Sequence, residues 1–159
     1  MHHCFNNNDT IMKSFITIFL FLLSIIARAQ SADALYEAGK KLYDEKKYTE
    51  AVKKLTPAAQ KGHKKAQYRL GRCYDKGYGV TEDNQKAYQW YLKGAQQGHG
   101  KSQYQLAKCY MKGKGVAKDT AKAKAWILKA VKNDKVREKL EEDVAEGDKT
   151  AIALKKLIQ

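Results

Sequence analysis

Cysteines, histidines and one lysine-serine pair are the residues of this chain with the reactivity to do chemistry. Cys73 and Cys109 are 36 residues apart, and so are His63 and His99. If that shared interval is a structural repeat, equivalent positions lie on neighbouring helices, about 8–10 Å apart. A disulfide wants alpha carbons within about 7 Å, and one metal ion wants ring nitrogens at about 2 Å. The two cysteines are therefore expected as buried free thiols, and the two histidines as turn residues after Gly62 and Gly98. Gly94-Ala95-Gln96-Gln97-Gly98-His99-Gly100-Lys101-Ser102 nearly spells a phosphate-binding loop. It lacks the glycine needed at position 95, and it follows a helical pattern rather than a strand. Ser-x-x-Lys, Gly-x-Ser-x-Gly and His-Glu-x-x-His do not occur. The sequence thus assigns no catalytic residue, no metal and no cofactor.

What positions these residues is a pattern that occurs twice. Leu70-Gly71-x-x-Tyr74-x-x-Gly77-x-Gly79-Val80-x-x-Asp83-x-x-Lys86-Ala87 returns as Leu106-Ala107-x-x-Tyr110-x-x-Gly113-x-Gly115-Val116-x-x-Asp119-x-x-Lys122-Ala123. A fixed period in this range marks a stacked array of supersecondary units, none of which can bury its apolar face alone. Gly77 and Gly113 fit a left-handed helix stop. Gly79 and Gly115 let the loop turn tightly, and Val80 and Val116 tie it to the core. Asp83 and Asp119 stand where an N-cap accepts from free amides. The next helix carries Ala87, Trp90, Tyr91, Gly94 and Ala95, then Ala123, Trp126, Ile127, Ala130 and Val131, an i, i+3, i+4, i+7, i+8 stripe that predicts burial. These motifs closely resemble the Sel1-like repeat, a relative of the tetratricopeptide repeat with a longer connecting loop. Ala107 departs from the glycine preferred at its position. Leu35, Ala38, Gly39, Leu42, Tyr48, Ala51, Leu55 and Ala58 resemble a tetratricopeptide unit more loosely.

The expected fold is all-α, a right-handed superhelix (solenoid) of helix pairs. Residues 30–63 form the first unit, 64–99 the second, 100–134 the third and 135–159 a degenerate capping unit. Helices are predicted over about 31–43, 48–61, 136–145 and 150–158, with a kink or early break at Pro57 and a turn at Asn133-Asp134-Lys135. The acids of the last unit (Glu138, Glu141, Glu142, Asp143, Glu146) suggest a polar outer face.

Residues 1–29 read as an upstream segment and a cleavable signal peptide. Lys13 precedes 12 residues, Phe15 to Ile26, that are apolar except at Thr17 and Ser24, and Ala27-Arg28-Ala29 follows. The start is expected at Met12 and the cut after Ala29. The run is too short to span a bilayer, which needs about 20 apolar residues. His2, His3 and Cys4 fall in the discarded piece. A bacterial protein exported to the periplasm or beyond is the expected product. The chain carries 31 Lys and Arg against 17 Asp and Glu, net +14. Its mature part keeps +13. That balance serves either solubility or attraction to an acidic partner, and export disfavours nucleic acid.

On the first helix of each unit, Tyr68, Arg72 and Asp75 fall opposite Leu70, Cys73 and Tyr74. Tyr104, Lys108 and Met111 align with them, as do Tyr36, Lys40 and Tyr43, and Arg69 and Lys76 flank the set. The tetratricopeptide resemblance implies that this side lines a concave groove, with a tyrosine column beside a cation column. The function it implies is non-enzymatic binding of a protein or an extended, acidic peptide. Tyrosine here is also a packing choice. β-Lactam binding or hydrolysis, as in cysteine-rich Sel1-like proteins, is the enzymatic alternative, although those pair cysteines within a repeat and this chain has one per repeat. A structural part in an envelope assembly, with partners on the convex face, is the third.

Overall fold

The computed structural model describes residues 7–159, the side chains of 7–11, 14 and 21–30 excepted. His2, His3 and Cys4 lie outside the described residues. The described chain folds into eight helices: α1 (Asn7–Asp44), α2 (Tyr48–Gln60), α3 (Lys64–Lys76), α4 (Asn84–Gln96), α5 (Gly100–Lys112), α6 (Thr120–Ala130), α7 (Asp134–Ala145) and α8 (Lys149–Ile158). Successive helices pair, α1 with α2, α3 with α4 and α5 with α6, and each pair stacks on the next. The fourth pair packs through α8 against both α5 and α6. Buried side chains form two clusters. Leu55, Leu70 and Cys73 centre the first, and Tyr91, Leu106, Ile127, Leu140 and Leu154 the second.

The repeat signature does what its spacing requires. Gly77 and Gly113 end α3 and α5 at φ 67° and 71°. The next amide in each loop donates back to the cysteine carbonyl at 2.9 Å, from Tyr78 to Cys73 and from Lys114 to Cys109. The carboxylates of Asp83 and Asp119 accept from the Lys86 and Lys122 amides, both at 2.9 Å. Gly79 and Gly115 are held at φ 72°, and they also touch the preceding unit. A β carbon at 79 would lie 2.4 Å from the Tyr48 carbonyl carbon, and one at 115 would lie 2.0 Å from the Asn84 carbonyl oxygen. These glycines therefore set the distance between units as well as the turn.

Four expectations need correction. The stretch read as a leader and the first repeat helix form one helix here, because Ala27-Arg28-Ala29-Gln30 contains no glycine or proline to stop it. Pro57 does not end α2 early. It sits in the last turn, three residues before the end, and the Lys61 amide still donates to its carbonyl. Asp134 and Lys135 already belong to α7, whose N-cap is Asn133, with its side chain accepting from the Val136 amide. Asp143 does not face outward: it is buried, for reasons given below. Among the described residues, no helix is long and apolar enough to cross a membrane.

Candidate functional site

The first helices of three successive units, α3, α5 and α7, line one cavity of about 450 Å³. Register brings them together. Tyr68 and Arg72 on α3, and Tyr104 and Lys108 on α5, are the same positions 36 residues apart, and stacking sets the two pairs side by side. α7 contributes Lys139 and Asp143, and Tyr91 of α4 lies behind. Eight cationic side chains and three carboxylates line the cavity. All three carboxylates are already engaged. Asp75 is 2.6 Å from Lys114 Nζ, Asp148 is 2.7 Å from Lys108 Nζ, and Asp143 is 3.0 Å from Lys139 Nζ. The surplus is five positive charges facing one volume, where low-dielectric walls strengthen the field.

Asp143 joins the last unit to the site. Tyr104 donates its hydroxyl to Asp143 Oδ2 at 2.6 Å, and Lys108 Nζ reaches the same oxygen at 3.4 Å. Burial pushes the Asp143 carboxyl up, but hydrogen bonds from Tyr104 and Lys139 and the charge of Lys108 outweigh it and hold the group below the usual carboxylate range. Burial likewise raises the Tyr104 hydroxyl, and the Asp143 bond raises it further. Asp148 also ends lower than usual, because the Lys108 bond and the Ala151 amide outweigh its desolvation.

Of the ten residues expected to form a groove, the structure brings Tyr68, Arg72, Asp75, Tyr104 and Lys108 to this cavity. The other five are used elsewhere. Tyr36 is 7 % exposed and stacks on His63 with ring centroids 4.2 Å apart. Tyr43 is 9 % exposed and packs edge-on against Tyr48 and Tyr78. Arg69 lies 4.9 Å above the Tyr43 ring and donates to Asp44. Lys40 pairs with Glu37 on its own helix at 3.6 Å. Met111 packs against the second core cluster. The tyrosine column is thus largely a packing device: each ring of the first two units meets the histidine that starts the next unit, Tyr36 on His63 and Tyr68 on His99. Tyr104 is 3 % exposed and meets Asp143 instead.

The histidines are helix starts, as turn residues of this kind should be. His63 Nδ1 accepts from the Ala66 amide at 3.1 Å, and His99 Nδ1 lies 2.9 Å from Ser102 Oγ. Gly100-Lys101-Ser102 is the first turn of α5, so the near phosphate-loop string is helix on both sides of a repeat boundary. Cys73 and Cys109 are buried free thiols. Burial pushes them up to about 11 and about 12, which removes the thiolate at neutral pH.

Among the cavity residues, sequence reasoning missed Tyr91, Lys114, Lys139, Asp143 and Asp148. Lys114 carried a signal. The aligned loop residue one unit earlier is Tyr78, and the residues they meet differ in step: Tyr78 packs on Tyr43, and Lys114 pairs with Asp75.

An all-α stack of helix pairs with an open, charged face and buried, unpaired cysteines defines a helical-repeat scaffold. Residues 64–99 and 100–135 each match the family model described as Sel1 repeat, so the chain carries two Sel1 repeats in tandem. Such scaffolds typically mediate protein–protein interaction. Among solved structures, a Sel1 repeat protein from Oxalobacter formigenes is similar at 34% identity and TM-score 0.62, over 77% of this chain and 52% of that one. The protein c5321, a protective antigen present in uropathogenic Escherichia coli strains and displaying an SLR fold, is similar at 30% identity and TM-score 0.63, over 73% of this chain and 26% of that one. Cysteine rich protein B of Helicobacter pylori, at 24% identity and TM-score 0.53 over 56% of this chain and 68% of that one, shares the fold. The chain thus spans about half of the first of these proteins and about a quarter of the second. No curated protein matches it.

Proposed function

We propose that this chain is an exported, non-enzymatic scaffold that binds an extended, acidic segment of another protein along the face built by α3, α5 and α7. One observation carries the reading: the cavity has five more cations than carboxylates, and every carboxylate in it is already paired. A net positive cleft that has used its own acids attracts a negative partner. Repeat proteins also offer long shallow surfaces of this kind through stacking alone. The β-lactam alternative draws no support from Cys73 and Cys109, which are buried and unpaired.

The test is crosslinking in the native envelope followed by mass spectrometry, with wild type beside the Tyr68→Ala, Arg72→Ala double variant. The wild type is expected to capture a defined partner, and the variant to lose it at unchanged helicity. Equal capture by both would move the binding surface elsewhere, and a convex-face contact would then support the envelope-assembly alternative.

Export is supported by the order of one cation, a largely apolar run of 12 residues and Ala27-Arg28-Ala29. It is also supported by the exposure of Phe15, Ile16, Ile18, Phe19 and Leu20, apolar side chains that α1 buries against nothing. Processing after Ala29 predicts a recovered chain whose first residue is Gln30, read by N-terminal sequencing. A chain that retains Phe15 to Ile26 would refute it.

A further inference from the structure

The repeat contains its own example of how this face takes an acid. Tyr104 and Lys108 hold the carboxylate of Asp143, delivered from the neighbouring unit. Tyr68 and Arg72 are the same two positions one unit earlier. No carboxylate lies within ion-pair distance of Arg72 among the described residues, and Asp75, three residues along the same helix, is held by Lys114. A third donor stands beside them. Tyr91 lines the same cavity, its ring centroid is 6.2 Å from that of Tyr68, and its buried hydroxyl has no hydrogen-bond partner. A buried hydroxyl left unpaired is costly, and native structures rarely carry one without a reason. The equivalent residue in the next unit is Ile127, which has no hydroxyl to satisfy.

We propose that Tyr68, Arg72 and Tyr91 form a seat for a side-chain carboxylate of an extended acidic peptide, the counterpart of the seat that Tyr104 and Lys108 give Asp143. The proposal rests on the groove-binding function above and names its central contact. Arginine suits the task better than the lysine of the next unit, because its planar fork can hold both oxygens of one carboxylate. Tyr68 and Tyr91 supply hydroxyl donors. The ligand is a side chain because the internal example is one, and because the cavity runs past three helices, which leaves room for the rest of a peptide.

Fluorescence anisotropy at low salt tests it with three labelled peptides of about ten residues, acetylated and amidated so that no terminal carboxylate competes. Asp alternates with Ser in the first, and Asn or Lys replaces Asp in the others. The Asp peptide is expected to bind, and the Asn and Lys peptides at least about tenfold more weakly, the factor of one hydrogen bond to a charged group. Arg72→Gln and Tyr91→Phe should each weaken the Asp peptide by about tenfold. Tyr91→Phe should do so without lowering thermal stability, since the hydroxyl it removes has no partner in the free protein. Unchanged affinity in both variants would overturn the seat and leave only diffuse attraction by lysines. An oligonucleotide of equal charge, bound as tightly and equally well by Arg72→Gln, would do the same. If the Asn peptide binds as well as the Asp peptide and the Tyr68→Ala, Arg72→Ala variant loses both, the groove stands and the seat falls. Failure of every peptide to bind would sink both.

Discussion

Gly71 shows how one side chain dictates another across a helix pair. A β carbon at 71 would lie 2.6 Å from the Tyr91 ring, which is fully buried. In the next unit the ring position is Ile127 and the glycine position is Ala107, both buried. The smaller side chain on α6 leaves space for the extra methyl on α5. Gly71→Ala gains helix propensity of up to about 1 kcal/mol but overpacks the core by about 1–3 kcal/mol, so the single change is expected to lower stability. In a Tyr91→Ile background the same change should raise it. A double-mutant cycle by urea unfolding measures the sign reversal, and additive effects would refute the coupling. From sequence alone Ala107 reads only as a departure from the repeat pattern. Its cause lies 20 residues on, at Ile127 on the facing helix, and no local rule points there.

At the scale of helices, starts and stops were legible because they are local: Gly77, Asp83, Gly113 and Asp119 each act on amides or carbonyls within a few residues. The cavity was legible only in part, since Asp143 and Lys114 work through neighbours about 40 residues away. The three starts His63, His99 and Asn133 differ in what they do with pH. Burial first, then the charges of Lys64, Lys101 and Lys65, bring the His99 imidazole from 6.5 down to about 4. Burial lowers His63 as well, against the pull of Asp33. As pH falls through about 6.5 the unfolded chain takes up these protons and the folded chain does not, so stability should decline from there to about pH 4. Each ring contributes at most about 1.4 kcal/mol per pH unit, less what a partly exposed group recovers from solvent. His99→Asn, which installs the residue that starts α7, is expected to shrink that decline. Melting temperatures by circular dichroism between pH 7 and 4 would show it, and an unchanged slope would place the titration elsewhere. Below about pH 4 a further loss is expected as Asp143 and Asp148, both held low, are protonated.

For the whole molecule, the first buried residue among those described is Ala32, the third residue after the expected cut. A chain beginning at Gln30 should therefore melt within about 2 °C of the full chain, and a larger drop would mean that the upstream part of α1 packs on the array. The contacts between units bear on how such an array can grow. Tyr78 of the second unit stacks on Tyr48 and meets Tyr43 of the first, whereas Lys114 of the third pairs with Asp75 of the second. The joints are keyed like unlike locks. A second copy of residues 64–99 spliced in behind the first would bring an aromatic ring against Asp75 and strip that acid of its cation. Lengthening this protein by simple duplication must therefore change both sides of a joint at once, and the order of its units is written into them.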